Sequence, residues 1–328
     1  MRRRNLGVTW LGLIGLTAIV FSACSSNEGV TPLMKAAIAN DVSEIQRLLS
    51  TGAEIDDRSK YDWTALVFAI QRGNEESAVS LIKAGADPNV VTKRVPPGFM
   101  ASNGGYFVTT PFREALREGN LKVAHLLLDS GSQVGADDVK LAGRHGDAKL
   151  FERLKTLDGI DFDSPETLGA ALGTAANKGN LKAINWLLAN GASPNGFDRS
   201  RPPLVEAISA TEPEAVRLLL ARGADVNFVY QPYTTQPDNL SSQLSASLQM
   251  HVQDFEGHLD IVKQLVAAGA DRSFRYNGET PLDRAIRDRD ETLASIAKRD
   301  ESPAEQSVSK RLQGYLAHEN AVIEILKD

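Results

Sequence analysis

Apolar residues recur along the chain at the spacing of short helices, from about residue 31 onward. Val42, Ile45, Leu48 and Leu49 fall on one side of a helix, because an α-helix completes a turn every 3.6 residues. The segment 183–188 repeats this spacing. The pattern predicts a series of short amphipathic helices, each of which has one apolar face to bury against a neighbour.

Each of these stripes ends at a glycine. A glycine just past a helix can adopt the left-handed backbone conformation that closes the last turn without a Cβ clash. Gly52 and Gly85 lie 33 positions apart, so the repeating element is about that long, and a shortened repeat ends near Gly159. The glycines that we interpret as repeat exits are Gly52, Gly85, Gly131, Gly191, Gly223 and Gly269.

A second marker lies about a dozen residues before each exit. It consists of Gly73, Gly119, Gly146, Gly179 and Gly257, each followed by Asn, Asp or His. Asn40 and Thr211 occupy the same place in their repeats. These positions predict a turn between two helices, so each repeat should be a helix, a turn, a second helix and a glycine stop.

The start of a repeat has its own pattern, in which threonine caps a helix and proline occupies the first turn, where no amide donor is needed. The clear cases are Thr31-Pro32-Leu33, Thr64-Ala65-Leu66, Thr110-Pro111-Phe112 and Thr280-Pro281-Leu282. With these starts, the turns, the paired leucines and the Gly-Ala-Asp exits in phase, residues 31–300 resemble the ankyrin repeat. The resemblance implies an all-α ankyrin-repeat solenoid of about eight helix-turn-helix repeats with a C-terminal capping helix.

The organisation of the chain follows from these markers. Two insertions, at about 92–108 and 229–243, fall between an exit and the next helix, on the edge formed by the hairpin fingers. Residues 301–328 are predicted to form a helix, because Ser302-Pro303-Ala304-Glu305 resembles a capping box. We expect this helix to cover the last repeat, and a partner-binding helix is the alternative. The eight repeats begin near Thr31, Trp63, Thr110, Ala136, Thr167, Pro203, Leu244 and Thr280.

Residues 1–23 have the order of an export signal, with arginines at 2–4 and an apolar run from Leu6 to Ala23. The sequence Val-Phe-Ser-Ala-Cys ending at Cys24 resembles a bacterial lipobox, which implies lipidation of Cys24 and a lipidated tether over 24–30. An uncleaved anchor helix and a free thiol are the alternatives. Ser25 resembles an outer-membrane sorting signal. We therefore expect a lipid-anchored protein of a Gram-negative outer membrane, with its repeats in the periplasm.

The composition of the chain narrows the classes of function and of site that it can have. One cysteine excludes an internal disulfide, and a formal net charge of -6 disfavours nucleic acid as a partner. The chain contains neither a Gly-x-Gly phosphate loop nor a Gly-x-Ser-x-Gly elbow, and its five histidines are scattered. We predict a non-enzyme with no cofactor, no metal site and no small-molecule substrate.

Protein recognition remains as the predicted activity. Ankyrin stacks in the family bind proteins through finger tips and first helices, and aromatic and arginine side chains dominate interface energetics. Packing of each such residue against its own repeat is the alternative. The predicted partner-binding residues are Tyr61, Trp63, Phe99, Tyr106, Phe107, Arg199, Arg201, Tyr230, Tyr233 and Tyr276.

Three functional hypotheses fit these features. The first is a lipid-anchored scaffold that binds a protein of the cell envelope. The second is a narrower form of it, an immunity protein that neutralises an exported toxin such as a lipase or wall hydrolase, with an insertion entering the toxin's cleft. The third is an enzyme or ligand-binding protein whose site is built by the insertions.

Overall fold

A computed structural model describes residues 29–94, 107–197, 201–229, 244, 247–248, 254–297 and 303–327 of the 328-residue chain. The chain divides into two compact units, an N-terminal lobe (residues 1–133) and a C-terminal lobe (134–328). Helices dominate both lobes within the described ranges, and the predicted lipidation site at Cys24 lies outside those ranges.

The N-terminal lobe contains three helix pairs and one β-ribbon. First helices α1, α3 and α5 pack side by side, and second helices α2, α4 and α6 form the adjoining layer. The elements are α1 (Pro32–Ile38), α2 (Val42–Ser50), α3 (Ala65–Gln71), α4 (Glu75–Lys83), β1 (Thr92–Arg94), β2 (Phe107–Thr109), α5 (Pro111–Arg117) and α6 (Leu121–Asp129).

The C-terminal lobe continues the pairing and ends in two longer helices. The last helix, which begins at Pro303, packs against the two helices before it, as a cap would. The elements are α7 (Ala136–Ala142), α8 (Ala148–Lys155), α9 (Pro165–Asn177), α10 (Leu181–Ala189), α11 (Pro203–Ser209), α12 (Pro213–Ala221), α13 (Phe255–Ala267), α14 (Pro281–Ala297) and α15 (Pro303–Lys327).

The glycine markers have the backbone conformation that the sequence predicts. All six exit glycines have a positive φ, between 84° and 97°. Among the turn positions, Gly73, Gly119 and Gly179 are also left-handed, and so are the two substitutes Asn40 (φ 56°) and Thr211 (φ 57°). The helix-turn-helix-stop prediction is therefore confirmed at these positions.

Two of the predicted turn glycines are exceptions. Gly257 lies inside α13, because Asp254 caps that helix and accepts a hydrogen bond from the Gly257 amide at 3.0 Å. The helix therefore starts four residues before the predicted turn would allow. Gly146 follows the end of α7 without a positive φ, and its amide bonds back to the Ala142 carbonyl at 2.6 Å.

Side-chain amides connect successive repeats. The Asn74 side chain, at the start of α4, donates to the carbonyls of Ala37 and Ile38 in the preceding repeat at 2.8 and 2.9 Å. In the C-terminal lobe, Asn180 makes the equivalent bonds to Gly143 and Gly146. These bonds satisfy carbonyls that the ends of short helices would otherwise leave without a partner.

The close approach of α7 to α9 requires a glycine, and this predicts a pair of opposite mutational effects. A Cβ on Gly143 would overlap the Ala171 carbonyl oxygen and lie 3.1 Å from the Ala175 amide nitrogen. Gly143→Ala should therefore lower the free energy of unfolding by about 1–3 kcal/mol, the usual cost of overpacking. Urea denaturation of purified protein measures this change.

Gly173→Ala is the matched control. Gly173 lies inside α9, where an added Cβ would meet only the Glu206 Cγ, at 3.8 Å. Alanine should stabilise this helix by roughly 0.5–1 kcal/mol, because glycine loses more conformational freedom on folding. Equal effects of the two substitutions would contradict the described packing of α7 on α9.

Candidate protein-binding surface

Short hairpins follow two of the exits, Gly52 and Gly269, and lead to the next first helix. Ser59 and Trp63 close one of them: the Ser59 amide donates to the Trp63 carbonyl at 2.9 Å, and Asp62 between them is left-handed (φ 59°). Tyr276 and Glu279 close another, with reciprocal backbone bonds of 2.9 and 3.1 Å around the positive-φ pair 277–278. This backbone is that of a tight β-hairpin turn.

These hairpins and the bases of the insertions form one kind of surface in each lobe, which we call the finger edge. It comprises residues 54–63, 87–94 and 107–109 in the N-terminal lobe and 193–197, 201, 225–229 and 271–279 in the C-terminal lobe.

The N-terminal finger residues predicted from the sequence are only partly available to a partner. Trp63 is half-buried, and its ring contacts Phe68 of its own first helix edge-on, with centroids 5.0 Å apart. Tyr61 is also half-buried, and the Lys60 ammonium lies 4.8 Å from the centre of its ring. Trp63 therefore contributes to the packing of its repeat as well as to the finger edge.

In the C-terminal lobe, Arg201 turns back onto its own repeat. Its guanidinium hydrogen-bonds the Ser209 hydroxyl and lies 3.7 Å from a Glu206 carboxylate oxygen. Tyr276 is half-buried beside its hairpin turn. Phe107 is the first residue of the ribbon strand β2. The other predicted binding residues lie outside the described residues: Phe99, Tyr106, Arg199, Tyr230 and Tyr233.

The first insertion leaves and rejoins the repeats as a two-stranded antiparallel ribbon. Thr92 pairs with Thr109, and both side chains are buried. Because side chains alternate across a strand, the other face of the ribbon points to solvent. On it Val91 is 52% exposed and Val108 is 57% exposed.

A buried carboxylate holds the base of this ribbon. Glu114 of α5 is fully buried and accepts hydrogen bonds from the Thr109 hydroxyl (2.7 Å), the Gln71 amide (2.9 Å) and the Arg117 guanidinium (2.8 Å). Burial of a charge is tolerated when such partners surround it. The network fixes the ribbon to the first helices α3 and α5.

In the C-terminal lobe, polar side chains also occupy the repeat positions that correspond to Glu114 and Arg117. Glu206 occupies the place of Glu114 in its repeat and accepts from the Asn177 amide at 3.3 Å. In the last repeat Arg287 of α14 occupies the place of Arg117, and it pairs with Glu279 of the finger at 2.5 Å. These polar side chains bond within the chain, so apolar side chains are the better candidates for partner contacts.

Exposed apolar side chains concentrate at the finger edge. Seven large apolar side chains of the described residues are more than one third exposed, and four of them lie there: Val91, Val108, Phe197 and Val229. The other three are Leu181, Leu293 and Val308 on helices. The four positions carry no periodic signal, because they are single apolar residues in loops. For Val91, Val108 and Val229 the available clue was their position at the insertions.

In the part of the chain that the structure covers, no group of three or more His, Cys, Asp or Glu side chains is arranged to hold a metal ion. None of the described helices combines the length and apolar character that crossing a membrane requires.

Comparison with known families now identifies the repeats. The family profile described as "Ankyrin repeats (3 copies)" matches residues 12–92 and 139–229, which together make just over half of the chain. The chain belongs to the ankyrin-repeat family. The predicted all-α ankyrin-repeat fold is thereby confirmed.

Relatives from other organisms are similar to this chain over parts of their length. The chain is 40% identical to the mitochondrial disaggregase of Bos taurus over 90 residues, 27% of this chain and 13% of that protein. It is 25% identical to the B-cell lymphoma 3 protein homolog of Mus musculus over 262 residues, 78% of this chain and 48% of that protein. The chain thus spans less than half the length of these relatives.

Solved ankyrin domains are also similar to this chain. The human ASB11 ankyrin repeat domain matches with a TM-score of 0.44 and 19% identity, covering 86% of this chain and 97% of that domain. The ankyrin repeat domain of Bcl-3 matches with a TM-score of 0.42 and 22% identity, covering 92% of this chain and all of that domain.

Proposed function

We propose that this ankyrin-repeat protein is a non-catalytic scaffold, anchored by a lipid on Cys24 and facing the periplasm, which binds a protein partner through its finger edge. Ankyrin-repeat proteins act as protein-interaction scaffolds. The observation that carries the proposal is the concentration of exposed apolar side chains at the finger edge, beside polar groups already bonded within the chain. Exposed apolar clusters rimmed by polar groups mark interaction surfaces.

The proposed location rests on the N-terminal sequence. Arginines at 2–4, an apolar run and Cys24 follow the order of a lipoprotein signal, and Ser25 favours the outer membrane. More than one acyl chain on a residue gives durable anchoring, whereas a single chain binds only marginally. The membrane is thus the second proposed binding partner, reached through the lipid alone.

The binding surface can be tested by removing its apolar groups. We expect Val91→Ser with Val108→Ser, or Phe197→Ser with Val229→Ser, to weaken capture of the partner by about tenfold, since a few core apolar contacts contribute roughly 1–2 kcal/mol. The measurement is quantitative mass spectrometry after crosslinking and pull-down of the full-length protein from membranes. Adding Tyr61→Ala to the first pair should weaken capture of the partner further. Trp63→Phe keeps an aromatic ring against Phe68, so it separates the packing role of Trp63 from its contact with the partner.

Leu181→Ser and Leu293→Ser are the matched controls for this test. Both side chains are more than one third exposed, as the finger residues are, but they lie on helices outside the finger edge. They should leave capture of the partner unchanged. If both finger pairs bind like wild type, or if the two controls bind as weakly as the finger pairs, the finger edge is not the binding surface.

One observation favours the narrower function of toxin immunity. The base of the first insertion is fixed to two first helices through the buried Glu114 network, which suits an inserted segment that must enter a partner's cleft. Purified protein should then inhibit a toxin enzyme encoded beside it at a one-to-one ratio. Glu114→Gln, which weakens the network while retaining the shape of the side chain, should weaken that inhibition.

A further inference from the structure

The C-terminal helix α15 docks on the last repeat through an apolar face. Val322, Ile323 and Leu326 of α15 are buried, and the helix contacts both α13 and α14. Beside this contact lies a cleft of about 640 Å³ that is lined by α13, α14, α15 and residues 247–248. Two histidines line it, His258 on α13 and His318 on α15.

These two histidines belong to a cluster of four rings that joins α13 to α15. Their ring centroids lie 4.9 Å apart, and they are only 3% (His258) and 7% (His318) exposed. Phe255 of α13 stacks on His318 at 4.9 Å, and Tyr315 of α15 contacts Phe255 edge-on at the same distance. The docking of α15 therefore places two imidazoles against each other in an apolar setting.

The hydrogen bonds in this cluster fit neutral imidazoles. His258 Nε2 lies 3.1 Å from the Ser247 carbonyl oxygen, so it carries a proton and donates it. The Nδ1 atoms of His258 and His318 are buried without a protein partner among the described residues. A protonated imidazole must donate from both nitrogens, and these two atoms have no acceptor among the residues that the structure describes.

Burial lowers the pKa of both imidazole rings. It lowers the pKa of His318 from 6.5 to about 4, with the neighbouring His258 adding to the effect. Burial also lowers the pKa of His258, against the opposing influence of the Ser247 carbonyl and the Asp254 carboxylate. Both groups thus take up protons more readily when α15 is undocked and the rings meet water.

Other titratable and charged groups face the cleft, and one of them opposes the histidines. Glu319 of α15 accepts a bond from Thr292 at 2.9 Å, but its second oxygen is buried without a partner, and burial raises its pKa. Its protonation in acid favours docking. The charged groups that α14 contributes are Arg284, Arg287, Asp288 and Glu291.

We infer that this ring cluster makes α15 an acid-released latch, which docks while both imidazoles are neutral and detaches when they take up protons. Two buried imidazolium rings in contact would repel each other and lack acceptors, and a single carboxyl group offsets only part of that cost. Release exposes the apolar face of α15 and the Phe255 ring of α13, at the C-terminal end of the repeats. An apolar surface at that end of the repeats would then be available only in acid.

The pH window follows from the His318 values. When α15 is undocked, the His318 imidazole takes up a proton below about pH 6.5. When α15 is docked, it does so only below about pH 4, so docking weakens as the pH falls through this interval. Between pH 7 and pH 5, protonation of His318 alone lowers the equilibrium constant for docking of α15 by about 20-fold. His258 acts in the same direction, and Glu319 opposes both.

Hydrogen exchange of the full-length protein, read by mass spectrometry and corrected for intrinsic rates, tests this inference. Protection of residues 303–327 should fall by about 20-fold between pH 7 and pH 5. Protection of α1–α6 should stay within about twofold, because no such histidine pair holds the described part of the N-terminal lobe. Unchanged protection of α15 in wild type would overturn the proposal.

Variants assign the effect to the two rings. His258→Gln with His318→Gln keeps polar side chains that do not titrate, so the double variant should lose the pH dependence. His145→Gln, at an exposed histidine outside the cluster, should retain it. A double variant that loses protection as steeply as wild type would contradict the latch.

A measurement on wild type covers the case in which the double variant fails to dock at pH 7. Proton NMR of the imidazole Cε1–H resonances reports each histidine directly. His318 should remain neutral at pH 5.5, and His258 should titrate below the ordinary value for histidine, about 6.5. Titration of both cluster histidines at the ordinary value for histidine, about 6.5, would overturn the proposal.

Discussion

Cells that carry Cys24→Ser should contain no lipid-labelled form of this protein, and the protein should no longer sediment with membranes. The acyl groups of the proposed anchor depend on the Cys24 thiol, which serine lacks. Each buried methylene contributes about 0.8 kcal/mol, so loss of two or three chains removes essentially all membrane affinity. Metabolic labelling with a radioactive fatty acid, followed by membrane fractionation, measures both effects.

Ser26→Ala is the control for this substitution. It changes a neighbouring hydroxyl and leaves Cys24 and Ser25 in place, so labelling and sedimentation should match wild type. Retention of the Cys24→Ser protein by membranes without label would indicate an uncleaved anchor helix. Retention with full labelling would exclude Cys24 as the site of lipidation.

Phe151→Ala should be the most destabilising of the substitutions considered, by about 3–5 kcal/mol. Phe151 in α8 is fully buried and stacks on Trp186 of α10, with ring centroids 5.1 Å apart and planes 13° apart. Phe162 contacts the other side of the cluster, edge-on to Trp186 at 5.8 Å. Removing the Phe151 ring leaves a cavity in a short repeat that lacks the threonine-proline start.

Urea denaturation monitored by circular dichroism tests this expectation, with Trp186→Phe as the control. Phenylalanine at position 186 keeps a ring against Phe151. It loses only the exposed hydrogen bond of 3.0 Å from the indole to Glu152, so the loss in free energy of unfolding should stay within about 1.5 kcal/mol. A Phe151→Ala cost below about 1 kcal/mol would show that the ring cluster does not hold α8 to α10.

The sequence predicts those parts of the fold that depend on local backbone conformation. A left-handed residue at a helix stop is usually glycine, so Gly52, Gly85 and the other exits mark the repeats without tertiary information. Asn40 could be placed by phase alone, because asparagine tolerates the same conformation. Gly257 is the opposite case, since the cap from Asp254 takes precedence over the expected turn.

The candidate binding surface depends on contacts that no local pattern reveals. Trp63 lies at the predicted finger, but whether its ring points to solvent depends on Phe68, which packs against it. The Glu114 network joins Gln71 and Thr109, and the former lies 43 positions away in the sequence. The exposure of Val108 becomes visible only when its strand is paired and the buried face of the ribbon is known.

Site-specific photo-crosslinking in living cells tests the central claim of partner binding through the finger edge most directly. A benzophenone amino acid would replace Tyr61 or Phe197 at the finger edge, and Leu181 or Leu293 on the helices. The account predicts an adduct of one partner protein from a finger position and none from either helix position. Adducts from the helix positions alone, or from no position, would contradict it.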